Sequence, residues 1–283
     1  MKIAMYEQNG QRGIAVLSPQ GPRGFLEESP EWPGDLDSLI ARGTDLREVG
    51  TRLASAPVQD SRGISFLPPI RRPSKILCIG LNYRDHSTET GLTLPDYPVV
   101  FARFPSCLTG HGQPLIKPSV SDQFDYEGEL AVVISRRARN VYRDEAPDFV
   151  AGYSAFNEAS VRDYQMRTSQ WTVGKNFDGT GAFGPALVTP DELPRGARGL
   201  RIRTRLNGLT VQDGTTSDMV FDVADLISIL SRTMTLEPGD VLVTGTPSGV
   251  GMARKPPLYM KNGDVCEVEI EGIGILRNPV IAG

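Results

Sequence analysis

Apolar residues along this chain come in short blocks separated by turn-forming residues, on the scale of strands (about 4–8 residues) rather than of long helices. Near the start, Ile3–Tyr6 and Gly13–Leu17 read as the arms of a hairpin, and Leu36–Ile40 as a short helix. A Pro- and Arg-rich stretch, LPPIRRPS at 67–74, then marks a boundary. The pattern divides the chain into a small N-terminal accessory domain, 1–72, and a main domain, 73–283. In the main domain Ile76–Ile79, Val99–Phe101 and 129–135 (ELAVVIS) read as strands. Asp144–Phe149 opens a helix, and Ser160–Thr168 reads as a second, with Asp163 and Arg167 at i,i+4. Gly199–Val211 is strand-like with a hairpin turn at Asn207-Gly208. Val223–Met234 carries the clearest helical period, with Asp222 as its N-cap. The turns EPGDV (237–241) and KNGDV (261–265) each launch a strand. The expected fold class is α+β and strand-dominated.

Composition narrows the function. The chain has 283 residues, a formal charge of −4 and 39% hydrophobic residues, as in ordinary globular proteins. Its mild acidity argues against nucleic acid or an anionic membrane as partner, because both call for a basic surface. No stretch approaches the roughly 20 apolar residues of a membrane helix. MKIAMYEQNGQRG is broken by charges, so no signal peptide is expected. Cys78, Cys107 and Cys266 are scattered and odd in number, which suits small core residues in a reducing cytoplasm rather than disulfides or a zinc site. His86 and His111 are the only histidines. A metal here would be held mainly by oxygen, which points to Mg²⁺ or Mn²⁺, with Ca²⁺ as a further option.

The most informative segment is DYEGELAVVI, 125–134. With period 2, Asp125, Glu127 and Glu129 share one face of a strand, roughly 7 Å apart. The apolar run Leu130–Ile134 carries that strand into a core, where acids repel and burial of an uncompensated one costs several kcal/mol. A divalent cation would remove that cost. A solvated acidic stripe is the alternative, and the chain offers one for comparison. In DVCEVEIEG, Cys266, Val268 and Ile270 face one way, while Glu267, Glu269 and Glu271 face solvent. Glu158, just ahead of the 160–168 helix, reads either as a third oxygen ligand or as an acid favoured by the helix dipole. In NYRDHSTETG, His86 and Glu89 are neighbours if the segment is one helical turn. A carboxylate beside an imidazole makes a general acid–base near neutral pH, and the polar surroundings suggest a lid. Lys175, after Trp171 and a Gly, reads as a lysine in a semi-buried niche or as an exposed one.

Two glycine-rich strings are set aside as phosphate sites. Gly179, Gly181 and Gly184 spell G-x-G-x-x-G, yet a polar KNFD precedes them and Pro185 follows. TGTPSGVG (244–251) lacks the G-K-[ST] ending and reads as a close-approach loop lining a site; Ser248 sits in no nucleophile elbow.

Taken together, ILCIGLNYRDH (76–86), DYEGELAVVI, NEASVRDYQ (157–165), QWTVGKNFD (170–178), QDGTTSDMVF (212–221), TLEPGDVLVTGTPSGVG (235–251) and GDVCEVEIEGIGILRNPV (263–280) resemble the fumarylacetoacetate hydrolase family, on its acylpyruvate hydrolase-like side. The resemblance runs from about residue 75 to the end. It implies a β-roll or mixed β-sandwich catalytic domain and a homodimer. By motif position it implies Mg²⁺ or Mn²⁺ on Glu127, Glu129 and Glu158, the last standing where the family usually has Asp. It implies His86 and Glu89 as a water-activating lid dyad and Lys175 as the active-site lysine. Gln165 and Thr246 match contacts to the oxo-acid end. Arg103 falls where many members have a substrate-side Lys, and Leu81 where some carry an Arg. The implied activity is metal-dependent hydrolysis of a carbon–carbon bond in an acylpyruvate or related 2,4-diketo acid. Oxaloacetate decarboxylation, oxo-acid isomerisation and sugar-acid dehydration on the same site are the alternatives, and an inactive binding member is a further one.

Overall fold

In the computed structural model, residues 1–85 and 94–283 are described. The first hairpin forms as expected: β1 (Lys2–Gln8) and β2 (Gln11–Ser18) pair antiparallel. Asn9 and Gly10 turn between them with φ of 51° and 78°, the mirror-image turn whose twist suits paired strands. β3 (Gly21–Leu26) and β4 (Ser65–Leu67) flank this pair. The remaining strands are β5 (Ile76–Gly80), β6 (Val99–Arg103), β7 (Leu108–Thr109), β8 (Leu115–Lys117), β9 (Phe124–Asp125) and β10 (Gly128–Ile134). Then come β11 (Val150–Glu158), β12 (Ser160–Val161), β13 (Gly181–Val188), β14 (Arg201–Leu206) and β15 (Leu209–Thr215). The last three are β16 (Val241–Val243), β17 (Val265–Ile270) and β18 (Gly274–Ala282).

Among the described residues, eleven strands make one sheet with the path β3-β2-β1-β13-β11-β10-β16-β5-β6; β4 and β7 join it from the side. Five strands, β15-β14-β17-β18-β8, make a second sheet. The strand-dominated α+β architecture is therefore the observed one. β10 explains why its sequence is apolar without alternation: it is buried on both faces. Leu130, Val132 and Ile134 join the core shared with the second sheet and the helix Val223–Thr233. Ala131 and Val133 join a second core with Ile3, Ile14 and the residues of two helices, Leu36–Ala41 and Leu46–Ala54. The N-terminal segment thus shares a core with the main sheet, and Lys2 and Ile3 pair directly with Val188 and Leu187.

Several local expectations are met. The helix at 223–233 carries the Asp222 cap, reinforced by Asp225 as a capping box. Asn207 and Gly208 turn β14 into β15 with φ of 52° and 81°. Cys266, Val268 and Ile270 are buried, while Glu267 and Glu269 point outward to Arg277 and Arg205. All three cysteines are free and buried. Others are corrected. The helix expected from Asp144 is one 3₁₀ turn, Ala146–Phe149, after which the chain enters β11, where all nine residues are buried. The expected 160–168 helix begins instead as β12 and holds one helical turn, Arg162–Gln165. Tertiary burial overrides the helical reading there: Asp163 accepts from Ser121 Oγ at 2.5 Å, and Arg167 stacks on Tyr164 at 3.6 Å, so no i,i+4 pair forms. The helix Leu46–Ala54, capped by Asp45, went unforeseen, although Leu46, Val49 and Leu53 line its buried face.

Candidate active site

Strand register brings the acids together. β10 and β11 are antiparallel, with Gly128 opposite Asn157, so the start of one lies beside the end of the other. The Glu158 N–H donates to Glu127 O at 2.8 Å, placing those two residues across from one another, where directly opposed side chains share a face. Glu129 is two residues along that face. Glu127, Glu129 and Glu158 each turn a carboxylate oxygen to a common point, within 4.8 Å of one another, and all three are buried. Asp125, expected on the same face, leaves the group. It is in β9 and accepts from Arg162 Nε at 2.8 Å and from the Gly251 and Met252 N–H groups at 2.7 and 2.9 Å.

Three cations answer these acids. Lys175, on the helical turn Thr172–Lys175, is 2% exposed; its Nζ donates to Glu127 Oε2 at 2.6 Å and to Glu158 Oε2. Arg162 pairs with Asp125 and, at 2.6 Å, with Glu127 Oε1. Arg103 lies behind Glu158. Its Nη1 donates to Glu158 Oε1 at 2.7 Å, so the strand position expected to touch substrate instead holds an acid from the rear. Glu129 makes no ion pair among the described residues. Its Oε2 accepts the Gly245 N–H at 2.5 Å. Gly245 has φ +98°, and a Cβ there would meet Ile79 O at 2.9 Å, so the glycine-rich loop does make a close approach.

This asymmetry sets the protonation states. For Glu127, burial works upward, but Arg162 and Lys175 outweigh it and hold the carboxyl well below 4.5. Glu129 goes the other way: burial, then Glu158 and Glu127, push it well above the ordinary value. Glu158 is raised to about 7, chiefly by burial, with Lys175 opposing. Burial would lower Lys175, yet Glu127 and Glu158 keep it above its usual value, hence charged. A raised folded-state carboxyl stabilises fully below 4.5 and loses that contribution as pH climbs through about 7. Glu127, held low, stays ionised across this window and adds no slope. Binding of a dication needs ionised ligands, so Mg²⁺ binding should release protons and weaken as pH falls. Calorimetry in buffers of different ionisation heat should show more protons released at about pH 6 than at about pH 9; the reverse order would contradict this assignment.

Do these residues fit a metal? Three converging buried carboxylates, one of them without an ion pair among the described residues, are a hard-oxygen donor set that suits Mg²⁺ or Mn²⁺. They form the floor of a cavity of about 230 Å³. Gln165 and Thr246 stand on its wall, with Leu81, Phe101, Met166, Trp171 and Met252. Gln165 is held by Arg162 Nη1 at 2.9 Å, and Thr246 Oγ1 donates to Gly128 O at 2.9 Å. The cavity therefore joins a polar, charged floor to an apolar mouth, as small-molecule sites do. His86 and Glu89 lie outside the described residues. Arg162 was not singled out by sequence reasoning, although its place four residues after Glu158 on the opening of a turn was a usable signal. Among the described residues, no helix is long and apolar enough to cross a membrane.

Residues 75–281 match the model of the fumarylacetoacetate (FAA) hydrolase C-terminal domain. The oxaloacetate tautomerase Fahd2a, mitochondrial, of Rattus norvegicus is 40% identical over 255 residues, covering 89% of this chain and 81% of that protein. A fumarylacetoacetate hydrolase from psychrophilic Exiguobacterium antarcticum superposes with a TM-score of 0.86 at 36% identity, with each chain wholly covered. The 2-hydroxyhepta-2,4-diene-1,7-dioate isomerase of Mycobacterium marinum gives 0.77 at 30%, covering 100% of this chain and 98% of that one. With close relatives named as enzymes and the acid cluster in place, the chain is an enzyme of small-molecule metabolism, and it belongs to the fumarylacetoacetate hydrolase family.

Proposed function

We propose that this chain is a divalent-metal-dependent enzyme that converts a small 2-oxo acid to its enolate. The observation that carries the reading is the buried meeting of Glu127, Glu129 and Glu158 beside Lys175 on a cavity floor. Mg²⁺ or Mn²⁺ on those acids would supply Lewis-acid polarisation of the substrate carbonyl. The chain's own groups do the rest. Lys175, kept charged by its two acids, faces the oxygen on which negative charge grows. Gln165 and Thr246 orient the carboxylate end. The proton transfer is assigned to His86, with Glu89 three positions on in the sequence as its partner acid.

Proton transfer alone gives keto–enol tautomerisation, and this outcome stands first because relatives bear the names oxaloacetate tautomerase and isomerase. Hydrolysis of an acylpyruvate or other 2,4-diketo acid stands second, supported by the His86–Glu89 spacing. In it His86 takes a proton from water, hydroxide adds to the distal carbonyl, and the carbon–carbon bond breaks. Its electron pair stays on the pyruvate side as an enolate facing Lys175, and the proton that His86 took from water returns to the enolate carbon to give pyruvate. Oxaloacetate decarboxylation and sugar-acid dehydration would draw on the same enolate. A cytoplasmic homodimer is the accompanying reading, with 73–283 carrying the site and 1–72 as an accessory domain.

The test follows decay of enol absorbance in oxaloacetate and pyruvate release from acylpyruvates, with Mg²⁺ and with EDTA. Chelation should abolish turnover, and His86→Ala should cost on the order of 10²–10⁴. Turnover indifferent to both changes would refute the mechanism.

A further inference from the structure

The two oxygens of Glu158 are engaged from opposite sides. Oε2 faces Lys175 and the other acids, while Oε1 accepts from Arg103 Nη1 at 2.7 Å. The Arg103 side chain is fully buried, and each of its nitrogens is committed. Nη1 also donates to Ala159 O at 3.2 Å, Nη2 to Thr180 Oγ1 at 2.7 Å, and Nε to Cys107 Sγ at 3.2 Å. Thr180 in turn donates to Phe177 O at 2.6 Å. A rigid planar fork held at four points cannot swing with Glu158; Glu158 must conform to it.

We propose that Arg103 is a positioning residue that restricts Glu158 to coordination through one oxygen and thereby sets which dication the site accepts. The inference rests on the metal-binding reading above. Ca²⁺ takes about 6–8 oxygens and commonly uses carboxylates bidentately, whereas Mg²⁺ demands a compact octahedron and keeps positions for water and substrate. Glu127 has both oxygens engaged, by Arg162 and Lys175, and one oxygen of Glu129 is held by the Gly245 N–H. Oε1 of Glu127 and Oε1 of Glu158 are each tied by an arginine, so what each acid can offer an ion is its Oε2, shared with Lys175; one oxygen per acid suits the smaller ion. Among these donors Arg103 is the side chain that lies off the cavity wall, so it can be changed without removing a substrate contact.

The experiment measures Kd for Mg²⁺ and Ca²⁺ by calorimetry on the metal-stripped full chain, as wild type, Arg103→Met and Arg103→Lys. Wild type should prefer Mg²⁺. Arg103→Met should weaken Mg²⁺ by about 10–100-fold, the usual effect of losing a ligand's supporting partner, and lower the Ca²⁺-to-Mg²⁺ Kd ratio by about 10-fold. Arg103→Lys keeps the charge but loses the fork, and should move the ratio the same way by less. If the Met variant does not fold, the Lys variant decides. A ratio that stays at the wild-type value while both ions weaken together would mean a purely structural role and overturn the proposal. Wild type that binds neither ion would overturn the metal reading itself, an outcome distinct from an unmoved ratio.

Discussion

Replacing Glu129 with Gln should stabilise the metal-free protein and disable the enzyme in one step. Among the described residues Glu129 is the acid of the three with no ion pair, and burial together with Glu158 and Glu127 already holds its carboxyl well above the ordinary range. At neutral pH the native fold therefore carries the cost of either charging this buried carboxyl or holding a proton on it, a cost that an amide lacks. The Gln carbonyl can keep accepting the Gly245 N–H, and its NH₂ turns donors toward two carboxylates in place of a repelling oxygen. The gain should be on the order of 1 kcal/mol, roughly 2–4 °C in melting temperature for a chain of this size. The same change removes one of the three carboxylates proposed to hold the metal, so Mg²⁺-induced stabilisation should vanish and turnover should fall on the order of 10²–10³. Thermal melts in EDTA and in Mg²⁺, beside a steady-state assay, read both arms. A metal-free melting temperature lower than wild type would show that Glu129 is well compensated and sink the electrostatic account of the site.

Lys175→Met should do the opposite to stability. Its ammonium joins Glu127 and Glu158, and nothing else placed between those two oxygens carries positive charge among the described residues. Removing one partner of a buried ion pair costs about 3–5 kcal/mol, because the surviving charge stays out of water. The metal-free variant should melt on the order of 10 °C below wild type. Mg²⁺ should then stabilise it by more than it stabilises wild type, since the ion takes up the charge that Lys175 had balanced. Turnover should drop on the order of 10²–10³ even at saturating Mg²⁺, because the proposed enolate would lose its cation. Equal Mg²⁺ shifts in the two proteins would mean that Lys175 and the ion do not share the same acids.

Much of this was legible in one dimension. The alternation in 265–271, the Asn207-Gly208 turn, the Asp222 cap and the unbroken apolar run after Glu129 are local features whose physics needs no distant partner. The family motifs named the acids and the lysine. What could not be read was pairing. Val150–Glu158 looks like a lead-in to a helix until β10 and β13 bury it from both sides and claim its backbone as a strand. The helix Leu46–Ala54 acquires its purpose only by packing Leu46, Val49 and Leu53 on the sheet face to which β1 and β2 contribute Ile3, Met5, Ile14 and Val16.

The site divides the same way. Spacing alone places Asp125, Glu127 and Glu129 on one stripe, yet the chain breaks between β9 and β10 and hands Asp125 to Arg162. Glu158 enters because an antiparallel register sets the end of β11 against the start of β10, and no count along the chain contains that register. Arg103 is a strand residue with an outward-looking neighbour until folding seals it behind Glu158. The sequence by itself determined the residue types, the turns and the chemical class of donors, because those follow from side-chain chemistry and short-range geometry. Only the tertiary structure decided which acid has a counter-cation and which does not, because a buried charge is governed by whatever lies within a few ångströms in space, wherever it stands in the chain.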